Sequence, residues 1–156
     1  TIGKREQKMR GNSQLLRSLY PFADKDRSMK TPVMLVLTND NELEGLMADA
    51  LSEIGGVSHI TRDAGNALQT ICGVNDLDLA IIDFEHGPHG MTLLSAINAL
   101  REDMPVIVIT RDDEEHVEAL AYTNGARACF SKPVPAPRLT SAMRELCRRR
   151  SEQAFA

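Results

Sequence analysis

Apolar and polar positions change pattern at Pro32. Beyond it, short unbroken apolar runs alternate with segments whose apolar residues recur every three or four positions. Val33–Leu37 is wholly apolar and leads into the polar turn Thr38, Asn39, Asp40 and Asn41. Leu43, Leu46, Met47, Ala50, Leu51 and Ile54 then share one helical face, and Gly55 with Gly56 predicts where that helix stops. Val57–Thr61 reads as a short strand and residues 66–72 as a second helix. Residues 79–82 are apolar and end in Asp83. Gly87, Pro88 and Gly90 read as a loop, after which Leu93, Leu94, Ile97 and Leu100 give a third helix. Pro105 opens the strand Val106–Thr110. Residues 114–124 form a fourth helix closed by Gly125, Ala128–Ser131 a fifth strand, and residues 138–149 a last helix after Pro133, Pro135 and Pro137.

Five strands thus alternate with five helices. Strands that read as unbroken apolar runs are buried on both faces, and alternation with helices implies a parallel sheet covered on both sides. Ligands of such sheets bind beyond the carboxyl ends of the strands. Thr38 to Asp40, Asp83, Thr110, and Ser131 with Lys132 all fall at such ends. The pattern predicts one polar site built from four segments.

Charge separates the first thirty residues from the rest. They hold eight of the 18 Lys and Arg and three of the 22 Asp and Glu. The remaining body is therefore strongly acidic, which disfavours nucleic acid as its main partner and suits a cation-binding cleft. Residues 1–31 read as a basic extension, partly disordered, with Leu15, Leu16 and Leu19 able to support a short helix. Residues 32–150 form the folded domain and 151–156 a tail. Aromatic residues make up only 4% of the chain, which argues against a base-stacking surface. The three cysteines, Cys72, Cys129 and Cys147, show neither disulfide nor zinc spacing and read as reduced, buried thiols of a cytoplasmic protein. No apolar run is long enough to cross a membrane.

Asp83 at the end of a buried strand is poised and partly desolvated, so it calls for a cation or a donor. Lys132 can supply the charge and Thr110 a hydroxyl. A carboxylate, an ammonium and a hydroxyl converging on one point suit phosphoryl transfer, with the carboxylate as attacking group. Each of these residues alone could equally cap the helix after its strand.

The run from Asp78 through Leu79, Ala80, Ile81 and Ile82 to Asp83, the segment Pro105 to Thr110, and the stretch Gly125 to Pro133 with its Lys-Pro pair together resemble the receiver domain of response regulators. The resemblance covers about residues 33–150. It implies a flavodoxin-like, doubly wound five-stranded parallel sheet with helices on both faces. It also implies two-component signalling with Asp83 as phosphoacceptor, Thr110 as switch residue and Lys132 as phosphoryl contact, its bond to Pro133 cis. A histidine kinase or phosphotransfer protein would be the donor and Mg2+ the cofactor. Chemistry at Asp83 would extend at most to accepting and releasing the phosphoryl group. Few residues follow the last helix, so output is expected through a partner protein or a domain outside this chain. Pairing with a second copy is a further expectation.

Four departures from the family pattern bear on this reading. Thr38 and Asn39 stand where the family carries an acidic pair that holds Mg2+, so the metal ligands would be Asn39, Asp40, Asp83 and Glu85. The loop after Asp83 is one residue short, and its His86 and His89 read as solvated rather than as ligands. Arg111 follows Thr110, free to screen Asp83, to pair with Asp112, Asp113 or an added phosphate, or to stay solvated. Cys129 replaces an aromatic, and strand alternation puts Phe130 on the opposite side. The alternative is a pseudo-receiver, a protein-interaction module that never takes phosphate. A nucleotide-binding domain of the same fold would need a Gly-rich turn after the first strand, and none is present.

Overall fold

A computed structural model describes residues 31–86, 88–111 and 115–154. The basic extension expected over residues 1–31 lies outside these apart from Thr31. Five strands, β1 (Val33–Leu37), β2 (Val57–Thr61), β3 (Leu79–Asp83), β4 (Val106–Thr110) and β5 (Ala128–Ser131), form one parallel sheet in the order β2-β1-β3-β4-β5. Five α-helices alternate with them: α1 (Asn41–Ile54), α2 (Ala64–Gly73), α3 (Pro88–Leu100), α4 (Glu115–Thr123) and α5 (Ala136–Ala154). A short 3-10 turn, Phe84–His86, follows β3. This is the doubly wound α/β fold expected, with its topological switch between β1 and β3.

The apolar runs work because side chains alternate across the sheet. Met34, Val36, Leu79, Ile81, Ile107 and Ile109 face α1 and α5, where Leu43, Met47, Leu139 and Met143 meet them. Leu35, Leu37, Ala80, Ile82, Val106 and Val108 face the other layer, against Ala67 and Ile71 of α2, Leu93, Leu94 and Ile97 of α3, and Ala121 of α4. β1, β3 and β4 are buried along their whole length, whereas β2 and β5 are edges.

Local chemistry sets the helix ends. The Asp40 carboxylate accepts the backbone N–H of Glu42 and Leu43 and so opens α1, and Gly55 closes it at φ 72°, where a side chain would be strained. Asp63 caps α2 in the same way, which starts the helix two residues before the expected 66. Pro88 and Gly90, read as loop, lie in the first turn of α3, a place where proline is tolerated because its missing N–H has no helical partner. The last helix starts before 138 and runs past 149 to Ala154, so residues 151–154 continue it rather than forming a tail. Neither Gly nor Pro interrupts that stretch, and Arg148 pairs with Glu145 and Glu152 one turn away on either side.

At the amino ends of the strands, Asp78 is buried. Its Oδ2 accepts the Val33 N–H at 3.0 Å, and its Oδ1 faces the Arg150 guanidinium of α5 at 3.6 Å. Arg150 also reaches Asp103 at 3.1 Å, so one arginine fastens α5 under the sheet. Among the described residues no helix is long and apolar enough to cross a membrane.

The cysteines correct one expectation, because Cys72 is exposed rather than buried. It follows the inward-facing Ile71 near the end of α2, so the helix turns it outward. Cys147 is buried, and desolvation with the nearby Asp78 charge pushes its thiol up to about 12. Burial and then Glu118 push Cys129 up to about 11. An aromatic disulfide reagent at neutral pH is therefore expected to label Cys72 rapidly in the native protein. Cys147 should react only when denaturant opens the fold, since the thiolate is the reacting species. Peptide mapping over a labelling time course reads the order, and early labelling of Cys147 would contradict it.

Candidate functional site

The strand alternation that builds the two cores also decides which polar groups meet at the carboxyl end of the sheet. Thr38 follows β1 in the row of Met34 and Val36. Asp83 ends β3 in the row of Leu79 and Ile81. Lys132 follows β5 in the row of Ala128 and Phe130. All three continue the face shared with α1 and α5, and they converge. Thr38 Oγ1 donates to Asp83 Oδ2 at 2.8 Å, and Lys132 Nζ donates to the same oxygen at 2.8 Å. Asp83 and Thr38 are both 0% exposed. Thr110 and Ser131 belong to the opposite rows, and their hydroxyl oxygens lie 3.5 Å apart.

Two further carboxylates close the site. Lys132 Nζ lies 2.9 Å from Asp40 Oδ2 and 2.7 Å from Glu85 Oε2. The backbone N–H of Glu85 donates to Asp83 Oδ1 at 3.1 Å, which fixes the carboxylate from the other side. Thr38 Oγ1 in turn accepts the Asp40 N–H at 3.0 Å. Burial works against the charge on Lys132, but its bonds to Asp83, Glu85 and Asp40 outweigh that and hold its pKa above the ordinary lysine value. The Lys132 ammonium holds the Asp40 carboxyl below the usual range, helped by the N–H groups of Glu42 and Leu43 and opposed by desolvation.

Of the residues singled out in the sequence, Asp40, Asp83, Glu85 and Lys132 are thus in direct contact. Thr110 is buried on the next strand, its hydroxyl near that of Ser131. Asn39 is exposed and lines the same surface depression as Asp40, Glu85 and Arg111. Arg111 is largely solvated and takes Glu85 as partner, its Nε 3.6 Å from Oε1. Asp112 and Asp113, its other candidate partners, lie outside the described residues, and so does the side chain of His86.

A cation has a donor set here. Asp40, Asp83 and Glu85 each offer a carboxylate oxygen, all within 4.8 Å of one another. Anionic oxygens at that spacing fit a hard divalent ion such as Mg2+, although the Lys132 ammonium contacts the same three carboxylates.

The family profile described as "Response regulator receiver domain" matches residues 27–144. The chain belongs to this family. Solved structures give the same fold. The receiver domain is similar to a CheY-like response regulator receiver domain protein from Methanospirillum hungatei JF-1, at 22% identity and a TM-score of 0.71, with 80% of this chain and 99% of that one covered. It is similar to the signal receiver domain of an HD domain-containing protein from Pseudomonas fluorescens Pf-5, at 25% identity and TM-score 0.71, covering 79% and 99%. It also matches NtrX from Brucella abortus at 22% identity and TM-score 0.71, where 81% of this chain spans 29% of that protein. No curated protein sequence matches the receiver domain.

The Lys132–Pro133 bond of this receiver domain is cis, as the resemblance implied. Cys129 and Phe130 pack into opposite layers, as alternation required. The residue whose role sequence reasoning missed is Thr38, although the strand-end pattern had placed it at the site. It was noted as a missing acid, yet its hydroxyl is a direct partner of Asp83. The signal was the even numbering it shares with Met34 and Val36, which assigns it to the Asp83 face.

Proposed function

We propose that this receiver domain accepts a phosphoryl group on Asp83 from a histidine kinase or a phosphotransfer protein. The observation that carries the reading is the Asp83 carboxylate itself, buried at the carboxyl end of β3 with a lysine ammonium 2.8 Å from one oxygen. A carboxylate oxygen would form the new P–O bond while the donor's P–N bond breaks and its imidazole leaves. Lys132 would follow the charge onto the phosphoryl oxygens, which carry more of it than the neutralised carboxylate. Asp40, Asp83 and Glu85, with the neutral oxygen of Asn39 nearby, would hold Mg2+. Bound there, the ion offsets negative charge on the incoming group. The Thr110 hydroxyl would turn toward a phosphoryl oxygen and bias the packing of α4, β5 and α5 toward the state a partner protein reads. The acidic body favours protein over nucleic acid as that partner, a second copy of the chain included. A cytoplasmic setting suits both the donor and the free thiols.

A second reading has its own support. Thr38 stands where the family carries an acid, and its hydroxyl and the Lys132 ammonium already satisfy the oxygen of Asp83 they share. A site so balanced suits a pseudo-receiver, a module that binds partners without phosphate.

Incubation with acetyl phosphate across a wide range of Mg2+ concentrations separates the two readings. Phosphoryl acceptance predicts a phosphate-sized gain in intact mass that Asp83→Asn abolishes. Absence of any gain at every Mg2+ concentration overturns it and leaves the interaction module.

A further inference from the structure

An ammonium group has three N–H donors. Those of Lys132 are matched by three carboxylates, Glu85 at 2.7 Å, Asp83 at 2.8 Å and Asp40 at 2.9 Å. The other oxygen of each carboxylate is engaged as well. Asp40 Oδ1 accepts the N–H of Glu42 and Leu43, Asp83 Oδ1 accepts the N–H of Glu85, and Glu85 Oε1 faces Arg111. Thr38 spends its proton on Asp83 Oδ2 and its lone pair on the Asp40 N–H. The cluster is therefore an anionic cage closed around a cation that the chain itself supplies. Lys132 is held firmly in that position, its side chain only 16% exposed.

We propose that Lys132 is the resident cation of the Asp40–Asp83–Glu85 cluster and competes with divalent metal for it. An ion drawing on these carboxylates would meet a unit positive charge in hydrogen-bond contact with each of them. The repulsion at that separation is large in a partly desolvated site, so metal enters as the ammonium leaves. Thr38 strengthens the bias. A carboxylate at its position would add the negative charge needed to keep a lysine and a divalent ion together, and a hydroxyl does not. The resting site thus already holds one cation in hydrogen-bond contact with all three carboxylates, without metal. Whatever draws Lys132 away, such as an anionic group arriving at the mouth of the site, raises the metal affinity of the cage it vacates. Metal and lysine exchange places, and the exchange sets when the site is open. This competition concerns the resting site and holds whether or not Asp83 takes phosphate.

Mn2+ binding to the full chain at low ionic strength, followed by the loss of free-ion paramagnetic resonance signal, tests it. Lys132→Met is expected to bind Mn2+ about tenfold or more tightly than the wild type, within the range by which neighbours of metal ligands alter affinity. Adding Asp83→Asn to Lys132→Met should remove that gain. Equal or weaker binding by a folded Lys132→Met protein overturns the proposal. Should that variant fail to fold, the wild type carries the test through lysine-selective acylation mapped by peptide mass. Labelling of Lys132 is expected to rise with Mn2+ occupancy as the ammonium is released, and constant labelling through saturation overturns the proposal. Neither readout involves a phosphoryl donor, so its failure is separate from failure of Asp83 to accept phosphate.

Discussion

Ile81→Ala is expected to lower the unfolding free energy by about 3–5 kcal/mol, while the same truncation at Ile60 costs under about 1 kcal/mol. Both residues are isoleucines within strands, so propensity is matched and burial differs. Ile81 is 0% exposed in the centre of β3, among the buried residues of the layer shared with α1 and α5. Ile60 lies on the edge strand β2 and is 45% exposed. Removing three carbons at Ile81 forfeits their transfer free energy and leaves a void that close-packed neighbours fill only in part. At Ile60 water already reaches the side chain, and the cost is little more than lost strand preference. A domain of this size has roughly 5–15 kcal/mol to lose, so Ile81→Ala approaches the limit of a folded protein. Equilibrium urea unfolding measures both. Similar costs at the two positions would contradict the layer assignment.

The second large effect is expected below the sheet. Asp78→Ala should cost about 2–4 kcal/mol, and Asp78→Asn about half of that. Alanine removes the acceptor of the Val33 N–H, whose bond is 3.0 Å long, and leaves that donor buried without a partner. It also removes one of the two carboxylates that hold Arg150, whose side chain is only 16% exposed. Asparagine keeps an oxygen for the Val33 N–H and gives up the charge. Guanidinium unfolding of the two variants beside the wild type reads the order. A harmless Asp78→Ala would mean that α5 is held without the Arg150–Asp78 pair, by its apolar face and the Arg150–Asp103 contact.

The fold was legible because its central strands have no polar side. Val33–Leu37 and Val106–Thr110 are covered by helices on both faces, and the sequence can satisfy that only with unbroken apolar runs. The start of α3 was not legible. Pro88 and Gly90 spell a turn by local preference, and tertiary packing overrides it. A Cβ on Gly90 would come within 2.7 Å of the Phe84 ring, so this glycine serves close packing of the helix against the 3-10 turn. The exposure of Cys72 escaped for a related reason, since apolar neighbours in sequence do not say which side of a helix a thiol occupies.

In the site, Asp83 and Lys132 could be placed because each closes a recognisable strand. The role of Thr38 could not be read as directly, because a hydroxyl after a strand also reads as a helix cap or as a plain loss of charge. Its row along the strand points it to the Asp83 face, and its pairing with Asp83 across 45 residues shows its use. Glu85 was read toward a metal, and its carboxylate also meets Lys132 and Arg111. A sequence records the charge of a glutamate but not which of its neighbours reaches it first.

The site joins parts with different capacities for motion. Thr38, Asp83 and Thr110 stand at the tips of the three strands buried along their whole length, the kind of element that opens last. Asp40, Glu85 and Lys132 stand one to three residues beyond a strand end. Asp83 ends a strand buried along its whole length, so rearrangement in the site falls more readily to the side chains around it. On the proposed function, a signal would therefore be written in how Lys132, Asp40, Glu85 and the Thr110 hydroxyl are arranged around Asp83.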